Sequence, residues 1–156
     1  MELADYVGRL YDVNAFQGPK PVGDTLLTQS LFGAADENGT VIVGIQKLAQ
    51  RFLLELLTIK GSIPFKPERG SSFILAVRQG FIRTDVDVFA TFAFALTDVK
   101  TNLARDVAVS DPLDEQLQDA RILRIIRSAT YLILYIELTS RAGTSRQVIL
   151  PTNIAL

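Results

Sequence analysis

The segment from residue 53 to residue 73 constrains the fold of this chain more than any other. It reads as the end of an apolar helix, a loop rich in glycine and proline, and the start of a second helix. Glycine adopts φ > 0 at little cost, whereas proline fixes its own φ near about −65° and pushes the preceding residue towards extended geometry. The loop is therefore expected to hold one shape. Its defining residues are Lys60, Gly61, Pro64, Phe65, Pro67, Glu68, Arg69 and Gly70.

Within this loop we expect Gly61 to end the preceding helix and Phe65 to pack into the core beneath the loop. Burial of a phenylalanine side chain stabilises a fold by roughly 1.5–3 kcal/mol, which favours an interior position. Glu68 is expected to accept backbone N–H groups or to pair with an arginine of the same domain. On this interpretation the loop is a structural and interaction element, not an active site.

Residues 57–70 also carry the motif Leu-Thr-x-Lys-Gly-Ser-x-Pro-Phe-x-Pro-Glu-x-Gly. This motif resembles the baseplate wedge family of contractile phage tails, the family with "lysozyme-like" in its name, which is related to a baseplate component of type VI secretion systems. The resemblance covers residues 41 to about 150, in the order helix, loop, helix, helix, strands. Members usually carry a Glu-Pro-Arg triplet near the end of the long second helix, whereas residues 98–103 here read Asp-Val-Lys-Thr-Asn-Leu. The contact made by that triplet is therefore not transferred to this chain.

The resemblance implies a structural protein of the virion, located in the tail baseplate and assembled in the host cytoplasm. Its implied partners are other wedge proteins and the tail sheath protein, with tube or hub proteins as further candidates. It also implies a sheet edge that accepts an extended arm of a sheath or baseplate subunit by strand addition. The last predicted strand is expected to supply this edge and to stop at Pro151, because proline lacks the N–H for ladder pairing. Its residues are Arg146, Gln147, Val148, Ile149 and Leu150.

The residue pattern predicts an α+β fold with helices packed on one face of a small antiparallel sheet. Residues 44–58 and the stretch that follows Thr84 have apolar residues at helical spacing, and Thr84 with Asp87 forms a capping-box pattern. Three later segments, rich in β-branched and aromatic residues, predict strands; they are residues 120–128, 131–140 and 146–150. A chain of 156 residues, 48% of them hydrophobic, can bury a core.

We interpret residues 1–40 as an N-terminal arm and strand, and residues 41–156 as the wedge-like α+β domain. Residues 1–12 form an amphipathic pattern too short for a stable isolated helix, so we expect them to dock on another subunit. A linker with glycine and proline follows, and residues 25–32 are expected to add to the chain's own sheet or helical layer. The first residues lack the apolar core of a signal peptide, and no run approaches the roughly 18 apolar residues of a spanning helix.

The composition narrows the chemistry. The chain has no histidine and no cysteine, which removes the commonest general base, the most reactive covalent nucleophile and His/Cys zinc sites. We therefore expect no catalytic centre and no cofactor. A formal net charge of −1 does not favour nucleic acid, and we predict no membrane partner. A mean hydropathy of +0.25 is high for a lone soluble monomer and favours contacts with partner proteins.

One alternative stays open, a small carboxylate-based glycan hydrolase. Glycosidases place two carboxylates about 5–9.5 Å apart, and Glu68 with Asp85 or Asp87 is the pair to consider. The competing interpretation gives Glu68 a structural role and makes Asp87 a helix cap. A group of acids lacks the spacing of a calcium-binding loop and is expected to be solvated; it consists of Asp111, Asp114, Glu115 and Asp119. A group of arginines is expected to form ion pairs; it consists of Arg121, Arg124 and Arg127.

Overall fold

The structure, a computed structural model, describes Leu10, Asp12–Val13, Thr25–Leu27 and residues 41–153. Its elements in chain order are strands β1 (Asp12–Val13), β2 (Thr25–Leu27) and β3 (Val41–Ile42), helices α1 (Gly44–Leu57), α2 (Phe73–Arg78) and α3 (Asp85–Arg105), a 3₁₀ turn (Leu113–Glu115), and strands β4 (Leu117–Arg127), β5 (Tyr131–Ser140) and β6 (Ser145–Asn153). The fold is α+β, as the sequence predicts. Within these residues, none of the helices combines the length and apolar character needed to span a membrane.

The main sheet has the strand order β2-β6-β5-β4. β4, β5 and β6 pair antiparallel in sequence order, whereas β2 pairs with β6 in parallel. Alternate residues of β5, from Leu132 to Leu138, are buried because the two-residue period of a strand turns them towards the helices. The helices therefore cover the face of the main sheet on which these β5 residues lie. β1 and β3 form a separate two-stranded sheet.

α1 is the central helix, in contact with α2, α3, β5 and β6. Its residues Leu48, Phe52 and Leu56 are at most 1% exposed. Phe73 of α2 meets Phe92 of α3 edge to face, with ring centroids 6.3 Å apart. The three helices and the sheet thus share one hydrophobic core. α3 begins with the predicted capping box, in which Thr84 and Asp87 each accept a hydrogen bond from the other's backbone N–H.

The last strand is longer than the sequence predicts. β6 continues through Pro151, which lies opposite Ile133 of β5, and ends at Asn153. The expectation that Pro151 stops the strand is wrong. On the outer side of β6, β2 pairs only with the stretch from Gln147 to Ile149, so the proline lies beyond that pairing, where its missing N–H is tolerated.

The N-terminal arm contacts its own domain wherever the structure describes it. Lys47 Nζ donates to the Leu10 carbonyl at 2.7 Å, and Asp12 pairs with Ile42 of β3. These contacts place Leu10 and Asp12 against the chain's own domain, and the docking of residues 1–12 on another subunit stays a prediction. The prediction that residues 25–32 join the chain's own sheet is confirmed for Thr25–Leu27. The linker of residues 14–23 and the other residues of the arm lie outside the described residues.

Candidate functional site at the 60–70 loop

Both ends of the 60–70 loop are held by backbone hydrogen bonds. Lys60 N donates to Ser71 O at 3.1 Å, and Ser71 N donates to Thr58 O at 2.8 Å. Thr58 is already extended and ends α1, because its N–H and its hydroxyl both donate to the Leu54 carbonyl. The expectation that Gly61 ends this helix is therefore wrong. With φ of +82°, Gly61 instead lies in the following turn.

Gly70 closes the loop at a position that only glycine can occupy. Its φ is +88°, and a Cβ built there would lie 2.5 Å from Thr58 O and 2.9 Å from Thr58 C. Both contacts are with backbone, which cannot swing aside as a side chain can. The glycine thus permits the close approach of the loop to the end of α1.

A buried carboxylate beneath the loop joins three elements. Glu55 of α1 is 4% exposed and accepts hydrogen bonds from Gly70 N at 2.7 Å and from Asn102 Nδ2 of α3 at 2.6 Å. Arg69 Nη2 lies 2.8 Å from Glu55 Oε2. Asn102 also donates to the Glu68 carbonyl at 2.9 Å. Each of these contacts satisfies a donor or acceptor that would otherwise be buried without a hydrogen-bond partner.

Arg69 extends this network to the end of α3. Besides Glu55 it binds Asp106, and Arg51 of α1 lies 3.9 Å from the same carboxylate. Partial burial opposes the charge on Arg69, but the hydrogen bond to Asp106 and the charges of Glu55, Asp106 and Glu68 outweigh it and raise the pKa of Arg69. Arg69 is therefore held in its charged form between Glu55 and Asp106 and links the loop to α1 and to the end of α3.

Phe65 lies on the opposite side of the loop from this network. Its side chain is 101% exposed, so the expectation that Phe65 packs into the core is wrong. The cause is a turn in which Lys66 N donates to Ile63 O at 3.2 Å, with Pro64 and Phe65 as the central residues. Phe65 has φ of +65°. Proline followed by a residue with positive φ is the pattern of a type II turn, and here it directs the ring into solvent.

Glu68 does not meet the carboxylates that a glycosidase would require. Its side chain is 3.7 Å from Arg105, at the carboxyl end of α3, which fulfils the expectation of an arginine partner within the domain. Asp85 and Asp87 lie in the first turn of α3. At 1.5 Å per residue, this 21-residue helix separates its two ends by about 30 Å. Glu68 therefore cannot form a glycosidase-type carboxylate pair with Asp85 or Asp87.

Asp87 serves as the helix cap that the sequence predicts. Hydrogen bonding with the Thr84 side chain and with the backbone N–H groups of Thr84 and Arg83 lowers the pKa of Asp87 below its usual 3.8. A lowered pKa contributes stability above the unfolded-state pKa, and that stability is lost as pH falls through the folded-state pKa. We expect Asp87→Ala to melt below the parent near neutral pH, and this gap to shrink as the pH falls below the usual aspartate pKa of 3.8. Thermal melts across this pH range, with Glu68→Ala as the control, test the expectation.

The other charged groups are structural, although not all in the predicted way. Glu115 is buried rather than solvated: it accepts from Gly44 N at 3.0 Å and pairs with Lys47 at 2.7 Å, so it caps α1. Asp119 pairs with Lys100 at 2.6 Å, and this hydrogen bond lowers the pKa of Asp119. The predicted ion pairs form between Arg121 and Glu137 and between Arg127 and Asp85, whereas Arg124 lies over the Tyr135 ring, 5.7 Å from its centroid. Among the described residues, no group of three or more acidic side chains could hold a metal ion.

The predicted sheet edge is occupied where β2 pairs. Gln147, Val148 and Ile149 pair with β5 on one side and with Thr25–Leu27 on the other. Val148 and Leu150 are 1% exposed and belong to the core. The expectation of a bare edge over Arg146, Gln147, Val148, Ile149 and Leu150 is therefore wrong at the three residues that β2 covers. Local periodicity could not reveal a partner so distant in the sequence.

α3 presents a largely apolar surface on the side away from the core. Apart from Asp85 and Arg105 at its two ends, the exposed residues of α3 are all apolar, alanine or threonine. They are Val86, Phe89, Ala90, Ala93, Phe94, Thr97, Thr101 and Ala104. We call this set the outer face of α3. Phe89 is 51% exposed and Phe94 76% exposed, unlike a typical solvated helix surface.

No protein-family model, curated protein or solved structure matches this chain. Function is therefore inferred from the arrangement of these residues and from the motif of residues 57–70. The domain offers surfaces for protein contact, and neither Asp85 nor Asp87 lies near Glu68.

Proposed function

We propose that this chain is a structural subunit of a contractile-tail baseplate, of the wedge type. In this role it binds neighbouring wedge subunits and initiates sheath assembly by strand addition. The motif of residues 57–70 supports the choice of family. The outer face of α3 is the observation that carries the assembly role, because a large exposed apolar surface on a folded domain marks a protein contact.

The shape of this face suits an apolar helix of a neighbouring subunit. Ala90, Ala93 and Thr97 follow one another along the helix with small side chains, which allow another backbone to approach closely. Phe89 and Phe94 flank this row and provide large aromatic contacts of the kind that dominate binding energy at interfaces. The face extends over about five helical turns, enough to seat a partner helix along its length.

The charges beside this face are already neutralised within the chain. Lys60 reaches Asp98 at 2.7 Å, and Asp119 reaches Lys100 at 2.6 Å. Both α3 side chains are thus held by partners from neighbouring elements. A docking helix would therefore not have to remove an unpaired charge from water, which is the main cost of burying charged groups.

Strand addition is supported by the way the chain completes its own sheet. β2 has three residues and pairs in parallel with β6, so this edge accepts an extended segment from elsewhere in the sequence. In our proposal an arm from a sheath subunit takes the place of β2. Such an exchange replaces the short set of backbone hydrogen bonds between β2 and β6 by a similar set, so the number of hydrogen bonds in the sheet changes little.

A charge on the outer face of α3 should block assembly without unfolding the domain. For Ala93→Glu we expect a melting temperature within about 2 °C of the parent, because glutamate is a good helix former and the position is exposed. We expect its incorporation into baseplates to fall at least about tenfold, since an unpaired carboxylate would be buried in the contact. The measurement is the fraction of the chain that co-sediments with assembled particles.

Ala142→Glu is the matched control, because Ala142 is an exposed alanine in the β5–β6 hairpin and is not part of the outer face of α3. It should assemble as the parent does. Normal incorporation of Ala93→Glu would show that this face is not a contact and would remove the main support for the proposal. The hydrolase alternative is not part of the proposal, because Glu68 has neither Asp85 nor Asp87 within reach.

A further inference from the structure

Phe65 combines two properties that folding alone does not explain. Position i+2 of a type II turn requires φ > 0, and glycine is the residue that sterics favour there. Here the position holds phenylalanine with φ of +65°. A bulky residue in this region is strained. Usually such strain is offset by packing, yet the Phe65 ring is 101% exposed and so gains no contact from the fold.

The loop beneath Phe65 is built to hold it still. Pro64 and Pro67 fix two φ angles on either side of it, and successive turns are closed by Lys66 N to Ile63 O at 3.2 Å and Arg69 N to Lys66 O at 3.1 Å. The buried Glu55 network fixes the loop to α1 and α3. A rigid aromatic side chain loses little conformational entropy when it is bound, so its position favours binding by pre-organisation.

The charge beside Phe65 indicates the chemistry of the binding surface. Lys66 is exposed and has no ion pair among the described residues, whereas Lys60 pairs with Asp98 and Glu68 with Arg105. The unneutralised charge next to the ring is therefore positive, which fits a rim of carboxylates. An anionic lipid surface fits less well, because lipid-binding segments cluster several free basic residues, whereas Lys60 and Arg69 of this loop are already paired within the chain.

We infer that Phe65 is the anchor by which this chain inserts into an apolar pocket, rimmed by carboxylates, on a neighbouring protein subunit. The strain in the turn is then offset in the assembly rather than in the isolated domain. This inference deepens the proposed function and rests on it for the expectation that the neighbour is a baseplate subunit. The contact is separate from the outer face of α3, since it is made by the loop.

The first step of the test identifies the neighbour. The full chain is produced in particle-forming cells with the photo-crosslinking residue benzoylphenylalanine in place of Phe65 or, as a control, of Val109. Val109 is equally exposed, at 109%, but lies in an unrelated loop. We expect position 65 to crosslink to one site on one neighbouring protein, next to acidic residues, and position 109 not to crosslink to that site.

The second step measures two properties that should change in opposite directions. Phe65→Gly removes the strain and the ring together, so its melting temperature should rise by about 2–4 °C. Its affinity for the purified neighbour should fall at least about tenfold. Phe65→Tyr should retain the parent's affinity, and Val109→Ala should change neither property. A merely structural role for Phe65 would not give higher stability together with weaker binding.

Parent-like affinity of Phe65→Gly would overturn the inference. So would a crosslink from position 65 only to a second copy of this chain, or binding to phosphatidylcholine–phosphatidylglycerol vesicles that Phe65→Gly abolishes. The identity of the neighbour tests the proposed function independently. A neighbour unrelated to a tail, bound through Phe65, would refute the baseplate role and leave the anchor standing.

Discussion

Glu55→Ala is expected to lower the free energy of unfolding by about 3–5 kcal/mol, because it removes the acceptor at the centre of a buried network. Gly70 N, Asn102 and Arg69 would each lose a partner within 2.6–2.8 Å, and the Arg69 guanidinium would be left beneath the loop with only Asp106. Chemical denaturation of the full chain measures the effect. The free energy of unfolding of Glu55→Gln should lie between those of the parent and of Glu55→Ala, since glutamine keeps an acceptor but lacks the charge.

Glu68→Ala is the control for this prediction. Glu68 belongs to the same loop, but its side chain is 44% exposed and lies 3.7 Å from Arg105, so its loss should cost about 0–1 kcal/mol. Equal destabilisation by Glu55→Ala and Glu68→Ala would contradict the assignment of Glu55 as the residue that holds the loop.

Gly70→Ala is expected to destabilise the fold by about 2–5 kcal/mol. Two costs combine: the positive φ disfavours any side chain, and the added Cβ would meet the Thr58 carbonyl oxygen at 2.5 Å. Since that oxygen accepts the hydrogen bond from Ser71 N, relief of the clash would open the base of the loop. Thermal and urea denaturation of the variant give the measurement.

The hairpin provides a matched comparison for this effect. Gly143 has φ of +81°, close to that of Gly70, but a Cβ built on it has nothing within 4 Å. Gly143→Ala therefore isolates the backbone cost, which should be about 1 kcal/mol. If the two variants were equally stable, the close approach at Thr58 would not be a constraint on the loop.

Elements with a local signal could be predicted from the sequence. The capping box at Thr84 sets the start of α3, and its signal lies within four residues. The strand period along β5 gives both its span and the face it buries, since residues 131–140 were expected and Tyr131–Ser140 is observed. The α+β class follows from the change of period between the helices and the strands.

The Glu55 network was missed, although part of its signal is present in the sequence. Glu55 is three residues after Phe52 and seven after Leu48, so helical spacing places it among the buried residues of α1. Asn102 likewise lies among the buried residues of α3, three residues after Val99. A single carboxylate and a single amide on the apolar sides of two helices could have been read as partners. The contact of both side chains with the loop backbone could not be predicted from the sequence.

The apolar character of Phe65 favours burial, but the geometry of the turn decides its position. The order Pro64-Phe65 at the centre of a turn already favours positive φ at the second position, but glycine is expected there and phenylalanine hides the pattern. The parallel pairing of β2 was beyond local reasoning for another reason. Only the assembled sheet determines which edge is available and in which direction a distant segment enters it.

The pairing of β2 with β6 joins a segment synthesised early to one synthesised late. While the ribosome extends the chain, Thr25–Leu27 has no partner until the β5–β6 hairpin has emerged and folded. Closing so long a loop comes after the local contacts of the helices and the hairpin have formed. The core is thus complete before the sheet is, and for that interval the outer side of β6 can take an extended segment from a second nascent chain as readily as its own.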